Sequence, residues 1–344
     1  RQHKVCASLA IFAIFAIFVS CSNGGDQAHE DTILRHGSDW SGPTEVRQGQ
    51  PVIPVIVNSR LGVGSNRLIF GFFGPNGELI HDAVAAELLL YAIDDDDHGT
   101  FIVKTALRST ALTEKRNHPH TDGSVHLHHD ALITAWTQTV ELTKEGWWGA
   151  DLTVEHGGER HEQLRLRFFV MQNSQEPAIG DPAPPTRQRT ISDGIDITEI
   201  STAQPPNPGM HRITIAEALD LGRLMVITFA TPSFCQTRFC GPVLEQVVMP
   251  LSEIYEGRVE FLHIEPFDLS RLRNEGSFIP VPAMEEWGLS TEPWVFVVDA
   301  QGLVAAKFEG IVSQQGLLTR QQVGGTNRPS GNLTRELLEI HDSP

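Results

Sequence analysis

Between residues 46 and 172 the apolar positions fall in short runs: Val52–Val57, Leu68–Phe73, Ala86–Ile93, Phe101–Ala106, Leu132–Leu142, Gly149–Val154 and Leu164–Met171. Short apolar runs bounded by turn residues are the mark of strands. Gly74-Pro75-Asn76-Gly77 separates two of them and His156-Gly157-Gly158-Glu159 two more. Seven such strands predict an antiparallel β-sandwich. The Ala86–Leu90 stretch reads equally well as helix, which leaves the strand count open by one.

The pattern then breaks. Residues 173–208 hold Pro177, Pro182, Pro184, Pro185, Pro205, Pro206 and Pro208, a density that forbids regular helix and central strand and so marks a linker. Beyond it, Thr214-Ile215-Ala216-Glu217 has the spacing of a capping box, opening a short helix that Gly222 can end. Leu224–Phe229 and Val259–Ile264 are unbroken apolar runs, as expected of strands buried on both faces. Between them Val243, Leu244, Val247, Val248, Leu251 and Ile254 recur at helical spacing. Trp294–Val298 and Leu303–Phe308, joined by Asp299-Ala300-Gln301-Gly302, predict an antiparallel hairpin. A final helix is expected near Leu333–Ile340.

The first twenty residues follow a third pattern. A basic start (Arg1, Lys4) leads into an apolar stretch from Val5 to Val19, broken only by Ser8. Fifteen residues fall short of the roughly 20 that span a bilayer, so 1–20 reads as a secretory signal. Phe18-Val19-Ser20-Cys21 resembles a bacterial lipobox, which implies that the Cys21 thiol carries lipid and that 21–45 is a polar, Gly-rich tether. An ordinary signal cut elsewhere is the alternative. Either way the mature chain is expected outside the cytoplasm, where disulfides persist.

Composition narrows the function. The 344 residues carry 26 Lys+Arg against 43 Asp+Glu, a formal net charge of −17. No concentrated basic face exists for a phosphate backbone, so a nucleic-acid partner is excluded. Four cysteines are too few for a disulfide scaffold. Cys6 leaves with the signal and Cys21 is assigned to lipid, leaving Cys235 and Cys240 as one pair.

That pair lies at the end of the first buried strand, in Phe229-Ala230-Thr231-Pro232-Ser233-Phe234-Cys235-Gln236-Thr237-Arg238-Phe239-Cys240-Gly241-Pro242. Cys-Gly-Pro at a strand-to-helix junction, with Glu292-Pro293-Trp294 before the last hairpin, resembles the thioredoxin superfamily from about Pro177 to Phe308. Gly180-Asp181-Pro182-Ala183-Pro184 also resembles the opening segment of peroxiredoxins and extracytoplasmic thioredoxin-like proteins. The resemblance implies an α/β thioredoxin-like domain over 209–344, and the seven punctuated strands before it read as an all-β immunoglobulin-like sandwich over 46–172. It also implies thiol–disulfide exchange with extracytoplasmic protein thiols and disulfides, with Pro293 as the cis-proline facing the cysteines and no cofactor required. A helix N-terminus lowers a thiol pKa, and Arg238 adds a positive charge, so Cys240 is the expected nucleophile and Cys235 its resolving partner, though the roles can be reversed. Val243 stands where the family's second cysteine would be. A structural disulfide pinning the loop is the competing interpretation, and a redox-silent interaction scaffold is another. Peroxidase chemistry is disfavoured because the hydroxyls of Thr231 and Ser233 are out of register with the peroxiredoxin motif. Copper delivery through the cysteines is disfavoured because the spacing is one residue too long and no His adjoins Pro293.

Histidines are the second candidate. His118, His120, His126, His128 and His129 crowd one segment. On a strand, His126 and His128 would share a face about 6–7 Å apart, and His118 and His120 could complete a copper or zinc site across the Thr121–Ser124 turn. A solvated His-rich loop is the alternative. His263 reads as a core histidine, Asp94–Asp97 with His98 as a solvated loop, and Trp147-Trp148 as sandwich core.

Overall fold

The computed structural model describes residues 40, 42–44, 49–114, 117–119, 125–127 and 131–318, the two short segments as backbone only. The expected signal, Cys21, most of the expected tether, His120, His128, His129 and the last expected helix lie outside them.

Ten strands fill the first half: β1 (Ile53–Ile56), β2 (Gly64–Phe73), β3 (Ala85–Ile93), β4 (Gly99–Ala106), β5 (Arg108–Glu114), β6 (Asn117–Pro119), β7 (Val125–Leu127), β8 (Ala131–Leu142), β9 (Gly146–His156) and β10 (Glu159–Val170). They form two four-stranded sheets, β1-β2-β8-β5 and β10-β9-β3-β4, with β6 and β7 as a separate pair. All the pairings are antiparallel. Both large sheets contribute to one apolar core, with Leu68, Phe70, Phe72 and Trp136 from the first and Leu88, Leu90, Trp148 and Leu152 from the second. The ambiguous Ala86–Leu90 stretch is strand, because β3 pairs on both sides, with β4 and β9. Strand β5 has too few apolar residues to announce itself; pairing with β8 along its whole length overrides its composition. Trp40 at the end of the tether packs on Tyr91 above Gly149, where a Cβ would lie 2.5 Å from the indole.

The second half begins with the proline-rich segment, which is packed rather than open. Pro182 bridges to Leu303, and Ala183 and Ala203 are buried. Helix α1 (Ile215–Asp220) has the expected capping box of Thr214 and Glu217. There follow β11 (Met225–Phe229), α2 (Cys240–Val243), a π turn (Leu244–Val248), α3 (Met249–Ile254), β12 (Glu260–Ile264), α4 (Leu269–Glu275), α5 (Pro282–Glu286), β13 (Trp294–Val298), β14 (Val304–Glu309) and α6 (Gln314–Leu318). The third sheet runs β12-β11-β13-β14, with β11 parallel to β12 and antiparallel to β13, which pairs antiparallel with β14. Its residues alternate between two cores: Val226, Val295 and Val297 face one, Ile227, Phe229 and Phe296 the other. Burial on both faces is why these strands read as unbroken apolar runs.

The helical stretch after β11 is not straight. Pro250 has no N–H to donate to the preceding turn, and the chain crosses that point with a π turn in which Met249 N–H reaches Leu244 O. The carbonyl of Gln246 is satisfied from outside the helix, by Gln314 Nε2 at 2.8 Å.

The two halves share a core. Ile69, Ile133 and Ala135, on the outward face of β2 and β8, pack with Val243, Leu244 and Val247 of the helix. Polar bonds cross the same boundary. The Arg67 guanidinium donates to the carbonyls of Glu309 (3.2 Å) and Ile311 (2.6 Å), and desolvation brings its pKa down to about 10. The Glu309 carboxylate accepts from Ser59 N–H (2.8 Å), Asn58 and Thr291. Replacing Arg67 by Met would take the side-chain donor away from two carbonyls and remove a buried cation whose charge Glu309 favours. The expected loss is about 2–4 kcal/mol of unfolding free energy, measured by urea denaturation, with Arg67→Lys recovering only part of it.

Candidate functional site

Strand β11 ends at Phe229, and the next ten residues form a loop that delivers Cys240 to the first turn of α2. Both cysteines are free thiols; Cys240 is fully buried and Cys235 partly exposed. Cys240 N–H donates to Cys235 Sγ at 3.2 Å, and the Thr237 hydroxyl lies 3.4 Å from the same sulfur. One Glu292 carboxylate oxygen and the two sulfurs lie within 4.8 Å of one another.

These contacts divide the two thiols. A hydrogen bond from the Cys240 thiol, with help from Thr237 and the Cys240 N–H, stabilises a Cys235 thiolate and brings its pKa down to about 7, against burial and the charge of Glu292. Burial pushes Cys240 well above the ordinary thiol range, and its proximity to Cys235 adds to the rise. Sequence reasoning placed the thiolate on Cys240 because that residue opens the helix. In the folded chain the Cys240 thiol and, more weakly, its N–H both point to the sulfur of Cys235, so Cys235 collects the stabilisation while Cys240 bears the desolvation.

Arg238 also acts differently from its sequence expectation. It adopts a left-handed conformation (φ 70) and its guanidinium pairs with Glu114, at the end of β5, through Nε (3.2 and 3.1 Å) and Nη2. Its charge is thereby matched by a carboxylate of the sandwich, and its role toward the loop is to tether it. Gln246 adds two hydrogen bonds to the backbone of Thr113, the neighbour of Glu114.

The Glu292–Pro293 peptide bond is cis. The Glu292 carbonyl accepts from Thr237 and its carboxylate accepts from Gln236 N–H at 3.0 Å, so this segment is stitched to the cysteine loop. Desolvation raises the Glu292 carboxyl. In the sequence Glu292 stands out only as the neighbour of Pro293, and its place beside both sulfurs is signalled by nothing more than an acidic residue directly before that proline. Glu114 carried no signal, since its partner lies 124 positions away.

Of the histidines, His118 and His126 are opposed in register on β6 and β7. Their short hairpin is inserted between β5 and β8, following Glu114 in the chain. Trp148 is core as expected, while Trp147 is 45% exposed, set edge-on to Phe169 under the Arg167 guanidinium.

Alkylation should separate the thiols. Cys235 is expected to react first, with a rate that rises through about pH 7, while Cys240 stays unmodified at neutral pH. Because the Glu292 charge opposes both thiolates, Glu292→Gln should move the Cys235 midpoint to lower pH, read as thiolate absorbance against pH.

No protein-family model and no curated protein matches this chain. Among solved structures it is similar to the human F-spondin reeler domain, at 8% identity and a TM-score of 0.18 over 38% of this chain and 95% of that one. A likeness that slight carries no argument.

Proposed function

We propose that this chain is an exported thiol–disulfide exchange protein, held at a membrane by lipid on Cys21, whose redox unit is a thioredoxin-like domain behind an immunoglobulin-like sandwich. The observation that carries the proposal is the pairing of an accessible sulfur, bonded by a helix-opening N–H, with a buried protonated thiol beside it. The four-stranded sheet with its parallel first pair and terminal hairpin supports the same domain.

In this mechanism Cys235 is the nucleophile. Its thiolate attacks a partner protein's disulfide, forming a mixed disulfide and releasing one partner thiolate. Cys240 then gives its proton to the Glu292 carboxylate and attacks Cys235 Sγ, releasing the second partner thiolate. The partner gains two electrons and the Cys235–Cys240 disulfide remains. Full burial of Cys240 suits this order, because its thiol is sheltered from a bulky partner but adjacent to Cys235. Pro293 contributes backbone beside the pair, where an extended partner segment would lie.

Cys240→Ser is expected to accumulate a dithiothreitol-sensitive adduct with extracytoplasmic proteins, whereas Cys235→Ser accumulates none. Failure of Cys240→Ser to trap any partner would count against exchange and favour a silent scaffold. The reduction potential tests the structural alternative: exchange proteins fall between about −270 and −120 mV, and a value below about −300 mV would mark a pinning disulfide.

A second function, copper or zinc binding by His118, His120, His126 and His128, is favoured by one observation, the register pairing of His118 with His126. Metal analysis of untagged protein should then show bound copper or zinc that the His126→Ala/His128→Ala variant lacks.

A further inference from the structure

The segment arriving from Cys21 meets the sandwich on the sheet face that turns away from the thiols. Trp148 and Phe168 enter the sandwich core. Strand alternation therefore puts Trp147, Gly149, Arg167 and Phe169 on the opposite face of the β10-β9-β3-β4 sheet. The Trp40 indole lies over Gly149, one pleat repeat from Trp147. Thr44 bonds along the edge of β10, its N–H donating to the Arg165 carbonyl and its hydroxyl accepting the Arg165 N–H, each at 3.0 Å.

Two side chains on that face stand half in water. Trp147 and Phe169 are cross-strand partners, each 45% exposed, with ring centroids 5.3 Å apart. Adjoining aromatics left this open mark a surface that meets something. Arg167 stacks its guanidinium on the indole at 4.7 Å. An indole with an apolar body and a polar N–H, beside an arginine, is the chemistry of a membrane–water boundary. Two clefts flank the indole. One, of about 530 Å³, has Pro43 and Thr44 in its wall. The other, of about 650 Å³, is lined by Asp94, Asp95, Asp97 and Glu145 against Lys144 and Arg167. Acids outnumber bases at that rim, so the surface suits a zwitterionic leaflet and not an anionic one.

Chain length selects the occupant. Nineteen positions separate Cys21 from Trp40, a reach of at most about 65 Å at full extension. A surface held that near a bilayer meets it at high effective concentration, so a contact too weak to hold a free protein becomes occupied.

We propose that Trp147 and Phe169 insert into the interface of a zwitterionic membrane and lay the β10-β9-β3-β4 sheet against it. The proposal rests on the reading that Cys21 carries lipid. Its consequence is an orientation. From this face the layers run through the sandwich core to the β1-β2-β8-β5 sheet, whose outer residues Ile69 and Ile133 carry the Cys240 helix. Stacked sheets lie about 10 Å apart, so the thiols stand on the far side of the sandwich, open to partners in the aqueous space. The sandwich is then the spacer between bilayer and redox pair.

The test uses the full lipidated chain in phosphatidylcholine vesicles brominated along the acyl chains. The indole emission should be quenched, and Trp147→Ser should lose more than half of that quenching. Phe169→Ser, which keeps all six tryptophans, should lose a similar share. Exchanging phosphatidylcholine for phosphatidylglycerol should add nothing. On the same vesicles Cys235 should react with a maleimide–polyethylene glycol as fast as in detergent. Quenching indifferent to both substitutions, stronger quenching on phosphatidylglycerol, or alkylation slowed about tenfold would overturn the proposal. So would a dimer that Trp147→Ser dissolves, found in place of quenching, which gives the face to a second copy of the chain. The mass of the purified chain separates two failures. A chain without lipid on Cys21 removes the anchored reading and this proposal with it, whereas a lipidated chain with no Trp147-dependent quenching removes the membrane-facing surface alone.

Discussion

One sheet with two buried faces underlies the rest of this structure. In β2, Leu68, Phe70 and Phe72 enter the sandwich core while Ile69 enters the core of the second half. In β8, Trp136 and Val140 point one way and Ile133 and Ala135 the other. Strand alternation sends successive side chains to opposite faces, so the sheet is at once a wall of the sandwich and the floor on which the Cys240 helix rests. Arg67 and Glu309 add directional bonds to that apolar contact. The two halves are therefore one packed unit, and the proline-rich segment between them adds Ala183 and Ala203 to its cores.

That packing reaches the thiols through short connections. Gln246 binds Thr113, Arg238 binds Glu114, and both partners belong to the last two residues of β5. The loop from Cys235 to Cys240 is thus held at its centre by the sandwich and at its edge by Glu292. With the loop so placed, the Cys240 N–H finds the Cys235 sulfur. The division of labour between the thiols follows from burial and hydrogen-bond direction, not from which cysteine comes first in the helix.

Much of this was legible in the sequence, and the remainder was hidden for identifiable reasons. Buried strands such as Met225–Phe229 and Trp294–Val298 announce themselves because both faces need apolar residues, and the Thr214–Glu217 capping box is a local device with a local signature. Strand β5 was silent because its pairing, not its composition, makes it a strand. The cysteine pair was visible, but which sulfur becomes a thiolate depends on which one is buried and on where the Cys240 thiol, the Thr237 hydroxyl and the Cys240 N–H point, and no spacing rule carries that. In the sequence Arg238 is a charge beside the thiol, yet Glu114, far away along the chain, claims it. His263 looked like core and is core; its nearness to His211 emerges only when residues 52 positions apart are brought together.

The π turn divides the helix after the cysteines into two registers. A π turn is an α-helix carrying one surplus residue, and here the surplus falls between the cysteine end and Tyr255, immediately before Pro250. The helix thus holds two angular phases, one set by Cys240 and the other by Met249 onward. A chain that shed one residue from Leu244–Val248 and exchanged Pro250 for a residue with an N–H would regain a continuous α-helix while keeping both phases.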